Sequence, residues 1–312
     1  DSMKISEIKY VRPDKEQVLA HLADIRQRME NAQTLEDFYA VHDEYKAYSE
    51  DLGTNMRIAF IRFTQDTRNE FYAAEQDYLD EIGPEISVAN AKIANCYLTS
   101  KFRKQLEERF PAVMFKNLQM AVDAADPRIV EDRVEENKVT TSYTKLMSSI
   151  IIDFEGEKLT MAGIGKYFTS PDRDLRKRAV YAWGQAIEDN KAQLDEIYDK
   201  LVKIRTRMGR KLGYDGFAPL GYLQMQRNCY TKADIARFRE NVLKYLVPLA
   251  SKIRNKVGKE LGIDKQYYYD NGIFTVEEPK PIGTPQEMFD NASKMYNEMS
   301  EETGKLFDTM RE

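Results

Sequence analysis

The stretch "KEQVLAHLADIRQRMENAQTLEDFYAVHDEY" (Lys15–Tyr45) carries the pattern that decides the fold. Apolar residues recur from Val18 to Met29 in steps of four, three and four residues, which is the spacing of one apolar face on an α-helix. The same stepping resumes after Thr34, a residue type that favours the N-cap position, and continues to Leu52. Near-heptad stripes of this length predict long antiparallel helices that pack at shallow crossing angles.

Helical periodicity continues through most of the remaining chain. A third apolar stripe, from Phe60 to Ile82, predicts one longer helix, and Pro84 is placed to open the helix that follows. Start and stop signals predict further helices at Ser100–Arg109, after Pro111, at Pro127–Ser148, after Ser170 as N-cap, at Asn190–Leu212 ended by Gly213, at Thr231–Leu261 and after Thr284. Turn or loop structure is predicted for Leu212–Tyr222 and Glu277–Pro285, and an extended piece for Tyr267–Phe274.

One segment departs from this pattern. "SIIIDFEGEKL" (Ser149–Leu159) has three consecutive isoleucines followed by a Glu-Gly-Glu turn, which predicts a short β-hairpin that must pack on something else to be stable, with helix resuming at Thr160. The predicted fold class is therefore mostly α, with long antiparallel helices that form a multi-helical wall and one short hairpin near 149–159. We expect three regions: helices over 1–110, helices and the hairpin over 111–190, and a third region over 191–312.

Composition excludes several classes of protein. The 312 residues are 42% apolar and 32% charged with a net charge of −5, which describes a folded globular chain without the basic excess of a nucleic-acid-binding protein. No apolar run approaches the length that a membrane helix needs. Two cysteines, Cys96 and Cys229, cannot form a disulfide framework and favour a reducing compartment, so we expect a cytoplasmic protein.

Sequence motifs for catalysis are absent. The chain has no phosphate-binding glycine loop and no nucleophile elbow. Its only histidines, His21 and His42, lack a second His or Cys at the spacing of metal ligands, so packed or surface helix histidines are the favoured interpretation. We therefore predict no catalytic residue and no metal ligand in this chain.

The densest candidate for a binding surface is "GYLQMQRNCY" (Gly221–Tyr230), together with "YYYDNGIF" (Tyr267–Phe274). Aromatic, arginine and amide side chains on a turn can bind a peptide main chain. The alternative is that the two tyrosines pack between helices, that the arginine pairs with a local acid and that the cysteine is buried. Our candidate residues are Tyr222, Arg227, Asn228 and Tyr230.

Several segments, in matching order and spacing, give the chain a family resemblance. "LDEIYDKLVKIRTRMGRKLGYDGFAPLGYLQMQRNCY" (Leu194–Tyr230) resembles the corresponding region of the oligoendopeptidase F family, which is related to thimet oligopeptidase among the zinc metallopeptidases. The other segments that resemble the family are "MKISEIKYVRPD" at the start, "FTQDTRNEFYAAEQDYLDEIGP" (Phe63–Pro84), "SPDRDLRKRAVYAWGQA" (Ser170–Ala186), "YYYDNGIF" and "GTPQEM" (Gly283–Met288). The resemblance implies a helical peptidase whose N-terminal helices form one wall of a deep channel for short peptides.

The family's zinc motif, His-Glu-x-x-His with a further Glu ligand, has no counterpart here. The resemblance therefore implies that zinc and the general base belong to a C-terminal half and that residues 191–312 begin a catalytic domain. It also implies two partners for this chain: short peptide substrates and the C-terminal half of the same enzyme. The closing "SEETGKLFDTMRE" (Ser300–Glu312) reads as an unfinished helix, so we expect Glu312 to interrupt a longer enzyme. The alternative is a free-standing helical scaffold or binding protein without catalysis.

Overall fold

The computed structural model describes residues 7–275 and 282–311. Helices dominate this part of the chain, and a two-stranded antiparallel sheet interrupts them, so the predicted fold class is confirmed. The helices are α1 (Lys15–Asn31), α2 (Leu35–Gln65), α3 (Glu70–Thr99), α4 (Arg103–Arg109), α5 (Ala112–Ala124), α6 (Val130–Ser149), α7 (Arg173–Asp189), α8 (Lys191–Lys211), α9 (Ala218–Gln224), α10 (Lys232–Asn241), α11 (Val247–Glu260), α12 (Pro285–Met299) and α13 (Glu301–Arg311), and the strands are β1 (Ile151–Phe154) and β2 (Glu157–Thr160).

The helices α1, α2 and α3 share one hydrophobic core with α4 and α5. The stripe predicted on α1 is buried along its whole length, from Val18 to Met29. Thr34 caps α2 as predicted, because its side chain accepts from the Asp37 amide while the Asp37 carboxylate accepts from the Thr34 amide. The apolar period of the first two helices was therefore sufficient to place their inner faces.

The boundary between α2 and α3 corrects the sequence prediction. The stripe from Phe60 to Ile82 is not one helix: α2 continues to Gln65, and α3 begins at Glu70 with Asn69 as its N-cap. Asp66 binds the Arg68 amide between the two helices and so stabilises the turn. The prediction was wrong because the apolar spacing continues across this turn and the capping signals of Asp66 and Asn69 were missed.

Pro84 lies inside α3 and does not open a new helix, which is a second correction. A proline in a helix removes the amide that would bind the carbonyl four residues earlier, here that of Asp80. The side chain of Asn137 on α6 donates to this carbonyl over 3.0 Å, so the carbonyl that the proline leaves open has a partner. The compensating group comes from a helix distant in sequence, and local sequence therefore could not reveal it.

The β-hairpin is present as predicted and packs on α7. Ile151 pairs with Thr160 and Phe154 with Glu157, around a two-residue turn, Glu155 and Gly156, with positive φ at both positions. The inward residues of the hairpin form a core with α7, which supplies the support that two strands require.

Two helix starts around the hairpin differ from prediction. Thr160 ends β2, and a 3₁₀ turn at Gly163–Tyr167 follows it, so helix does not resume at Thr160. The N-cap of α7 is Asp172, not Ser170, because the Asp172 carboxylate accepts from two amides in the first turn of the helix.

The later helices are close to their predicted positions. Gly213, with φ of 88°, follows the end of α8 as predicted, but part of the predicted turn region forms the short helix α9. A π-helical turn at Val242–Leu246 joins α10 to α11, and Tyr268–Asp270 forms a 3₁₀ turn. Residues 276–281, in the predicted loop Glu277–Pro285, lie outside the described residues, and the division into regions 1–110, 111–190 and 191–312 stays a prediction.

The helices α12 and α13 pack mainly against each other. Thr284 caps α12 in a capping box, and the rings of Tyr296 and Phe307 stack with their centroids 4.7 Å apart. Ser300, in an extended conformation, separates the two helices, so the closing segment forms a helix of its own as its apolar spacing indicates.

Candidate functional site

The candidate segment Gly221–Tyr230 begins on α9, which is held tightly against α8. The Leu220 side chain is buried among residues of α8. Gly209 of α8 lies against the Gly216 carbonyl so closely that a Cβ at position 209 would come within 2.3 Å of that oxygen. The start of the candidate segment therefore rests on a rigid helix pair, which is a good support for a binding surface.

A tight turn after α9 brings three of the four candidate side chains together. Gln226 has φ of 51°, and the Arg227 amide donates to the Tyr222 carbonyl over 3.1 Å. This turn places the Arg227 guanidinium 4.6 Å from the ring centre of Tyr222 and 5.8 Å from that of Tyr230. Both distances lie within the range of cation–π attraction. The result is an aromatic–arginine cluster of Tyr222, Arg227 and Tyr230.

The fourth candidate, Asn228, has a different environment. Its side-chain amide donates to the side-chain oxygen of Asn117 on α5, so it ties the turn to the N-terminal helices. The binding role of these four side chains stays a prediction. Asn117 was missed by sequence reasoning, because an isolated asparagine on a helix gives no signal.

Parts of the structural alternative for this segment are wrong. Within the described residues, the Arg227 guanidinium forms no ion pair with an acid, and it lies over the two aromatic rings. Cys229 is exposed, so the interpretation as a buried structural cysteine is also wrong. The cluster is partly exposed, with Tyr222 and Arg227 half-buried and Tyr230 exposed, and a surface of this kind can bind a peptide main chain.

The second candidate segment, Tyr267–Phe274, is held in place by a buried ion pair. The Asp270 carboxylate accepts from Arg176 over 2.9 Å and from Arg173 over 2.8 and 3.0 Å, and Asp270 and Arg176 are both buried. These guanidinium groups and the Tyr267 amide outweigh the cost of burial and lower the pKa of Asp270 to about 2. The adjacent ring of Tyr268 is left exposed.

Large apolar side chains are exposed on the last four helices. They follow helical spacing on α10, on the π turn and α11, and again on α12 and α13. We call this set the C-terminal apolar surface: Phe238, Leu243, Tyr245, Leu246, Leu249, Ile253, Phe289, Met295, Met299, Leu306 and Met310. Soluble monomers rarely expose so many large apolar groups on consecutive helices, so this set indicates an interaction site.

The histidines do not form a metal site. The His42 ring nitrogen Nδ1 lies 2.6 Å from the Tyr97 hydroxyl, and burial lowers the pKa of His42. The ring of His21 packs beside that of Tyr48. In residues 7–275 and 282–311, no group of three His, Cys, Asp or Glu side chains could hold a metal ion. The described residues therefore do not fit zinc.

Comparisons with known proteins agree on one family. Residues 5–125 match the peptidase M3 N-terminal domain. The fold matches the structure of PZ peptidase A, solved with an inhibitor, at a TM-score of 0.94 and 37% identity, over 98% of this chain and 55% of that one. No curated protein sequence matches the chain.

Other solved structures give the same picture. An oligoendopeptidase F structure is 35% identical over 99% of this chain and 55% of its own, with a TM-score of 0.94. A Bacillus anthracis strain Ames oligoendopeptidase F is 31% identical over 99% of this chain and 57% of its own, with a TM-score of 0.93. The chain therefore spans little more than half the length of these structures. None of the described helices has the length and apolarity needed to span a membrane.

Proposed function

Since this chain resembles the N-terminal portion of the M3-family oligoendopeptidases over nearly its whole length, we propose that it is the N-terminal part of a zinc metalloendopeptidase that hydrolyses short peptides inside a deep channel. The observation that carries the proposal is this near-complete match, at 31–37% identity, to about half of each of three peptidase structures. Zinc and the general base belong, in this proposal, to the C-terminal half. The two free cysteines favour a cytoplasmic enzyme.

The role of this chain is to hold and orient the peptide. Long helices packed on a shared core make a stiff wall, and a stiff wall can admit an extended peptide while it excludes a folded protein. The aromatic–arginine cluster at Tyr222, Arg227 and Tyr230 supplies flat rings and one cation to that wall. Contacts of this kind bind the main chain and tolerate many side chains, which suits an enzyme that degrades varied short peptides.

The C-terminal apolar surface is, in this proposal, the face on which the C-terminal half packs. Exposed residues on α11, such as Leu249 and Ile253, and on α12, such as Met295 and Met299, are more than half exposed in this chain. Burial of a Leu, Ile or Met side chain stabilises a protein by about 1.5–3 kcal/mol, so a partner that covers this surface would bind strongly. We expect the isolated chain to self-associate through the same surface.

A peptidase assay on two proteins tests the proposal. The 312-residue chain with added zinc should not cleave a quenched-fluorescent peptide, while a longer product of the same gene that includes the C-terminal half should cleave it and lose activity to a chelator. Metal-dependent cleavage by the 312-residue chain alone would refute the assignment of the catalytic groups. A longer product that binds no zinc and cleaves no peptide would refute the peptidase function.

Self-association provides a second, independent test. Leu249→Lys with Met295→Lys should shift the isolated chain toward monomer in sedimentation experiments, because the two charges interrupt the C-terminal apolar surface. The control is Lys200→Glu with Lys203→Glu, which changes two charges on exposed positions of α8 and should leave the oligomeric state unchanged. A wild-type chain that is already monodisperse would contradict the packing role and favour the self-contained scaffold.

A further inference from the structure

A cavity lies between the N-terminal helices and the candidate segment. It has a volume of about 350 Å³ and is lined by α3, α5, the first turn of α6 and the end of α9. Gln224 and Gln226 line it from the turn that also carries the aromatic–arginine cluster. The volume lies at the lower end of the range for small-molecule pockets, which is enough for a short ligand or the end of a longer one.

Two hydrogen-bond donors that line this cavity have no acceptor. The side-chain nitrogen Nε2 of Gln224 is buried and makes no hydrogen bond to the described chain. Arg133, which is half-buried, lines the same cavity, and its guanidinium makes no hydrogen bond or ion pair within the described residues. The unmet buried donor of Gln224 costs about 1–3 kcal/mol, so an acceptor that enters the cavity recovers this free energy.

The acidic residue that lines the cavity, Asp126, is already hydrogen-bonded to another residue. Asp126 binds the backbone and side chain of Arg128 over 2.8–2.9 Å, and these hydrogen bonds lower its pKa. Its charge is therefore partnered outside the cavity and leaves the charge of Arg133 unbalanced.

We propose that the cavity at Arg133 and Gln224 binds a carboxylate at the end of a short chain, with Arg133 and Gln224 as the donors. A planar guanidinium is suited to binding both oxygens of a carboxylate, and the Gln224 amide donates to the same group. The apolar part of the lining, at Ala91, Ala94 and Leu118, would contact the chain that carries the carboxylate. The carboxylate belongs either to the C-terminus of a peptide or to a small organic acid. Only the peptide C-terminus rests on the function proposed above.

Calorimetric titration of the 312-residue chain tests the proposal. The probes are acetyl-trialanine with a free carboxylate, the same peptide as its C-terminal amide, and butyrate. The free acid should bind at least about tenfold more tightly than the amide, because a charge-assisted hydrogen bond is lost in the amide. Binding of butyrate alone assigns the site to small acids, and binding of the peptide acid assigns it to peptide ends. Equal affinity for acid and amide, or no binding of either acid at about 1 mM, would overturn the proposal.

Variants separate the two donors from general charge. Arg133→Gln and Gln224→Glu should each weaken binding of the acid by at least about tenfold, since the first removes the cation and the second opposes the carboxylate. Arg68→Gln, an exposed arginine that does not line the cavity, is the charge-matched control and should bind as wild type. Circular dichroism and the thermal midpoint confirm folding. Wild-type affinity in a folded Arg133→Gln would overturn the proposal, whereas peptidase activity is measured separately and does not enter this test.

Discussion

Asp270 should be the carboxylate whose loss destabilises the later part of the described chain most. Its side chain is 1% exposed and pairs with Arg176, which is 2% exposed, and with the more exposed Arg173. Asp270→Asn removes the negative charge and leaves the Arg176 guanidinium buried without a counter-charge. Breaking a buried ion pair from one side costs about 3–5 kcal/mol, which sets the expected loss in the free energy of unfolding at neutral pH.

The pKa of Asp270 gives a second route to the magnitude. The pKa of Asp270 falls from 3.8 to about 2, and at 1.36 kcal/mol per pKa unit this corresponds to a stabilisation on the order of 2 kcal/mol. A depressed folded pKa contributes stability that is fully present above the unfolded pKa of 3.8 and is lost as pH falls toward 2. The difference between wild type and Asp270→Asn should therefore be largest at neutral pH and shrink below pH 4 or so.

Urea unfolding at several pH values measures both quantities. The control is Asp264→Asn, which changes an exposed aspartate in the same region and should alter the free energy of unfolding by less than about 0.5 kcal/mol. If Asp270→Asn lies within about 1 kcal/mol of wild type at neutral pH, or if their difference is the same at every pH, the buried ion pair does not have the role argued for it.

Three further perturbations follow from the structure. Gly209→Ala should lower the free energy of unfolding by more than about 2 kcal/mol, because its Cβ would meet a backbone oxygen, while Gly184→Ala, with open space around it, should be neutral or slightly stabilising in thermal unfolding. Burial raises the pKa of Asp80, so the stability it provides is lost as pH rises through the folded pKa; Asp80→Asn should raise the urea midpoint at pH 7 and change it little at pH 4. In a longer, active enzyme, Arg227→Met should raise KM by about two- to tenfold at unchanged kcat and zinc content, and Arg227→Lys should restore part of the affinity.

Apolar periodicity was enough to predict the fold class and the inner faces of the first helices. It failed where a side chain from a distant part of the sequence changes what a local pattern would produce. Proline normally ends or opens a helix, but Pro84 is accommodated because Asn137 on another helix binds the carbonyl that the proline leaves free. Conversely, the stripe from Phe60 to Ile82 ran across a real helix boundary, since apolar spacing alone does not register a capping turn.

The candidate site also has one part that the sequence could predict and one part that it could not. Tyr222, Arg227 and Tyr230 are close in sequence, and one turn brings them together, so local composition could point to this cluster. The pair Arg133 and Gln224 lies on different helices, and only packing reveals that both line one cavity. Arginine and glutamine are common on helix surfaces, so the sequence does not indicate that these two side chains line the same cavity.

The coding sequence that follows the codon for Glu312 in the source genome would show whether this chain is part of a zinc peptidase. We expect an uninterrupted reading frame that encodes a His-Glu-x-x-His motif on a predicted helix, with a further glutamate downstream as the third zinc ligand. A stop codon directly after Glu312 would contradict it, because the chain would then be a free-standing helical protein without the catalytic half that the proposed peptidase requires.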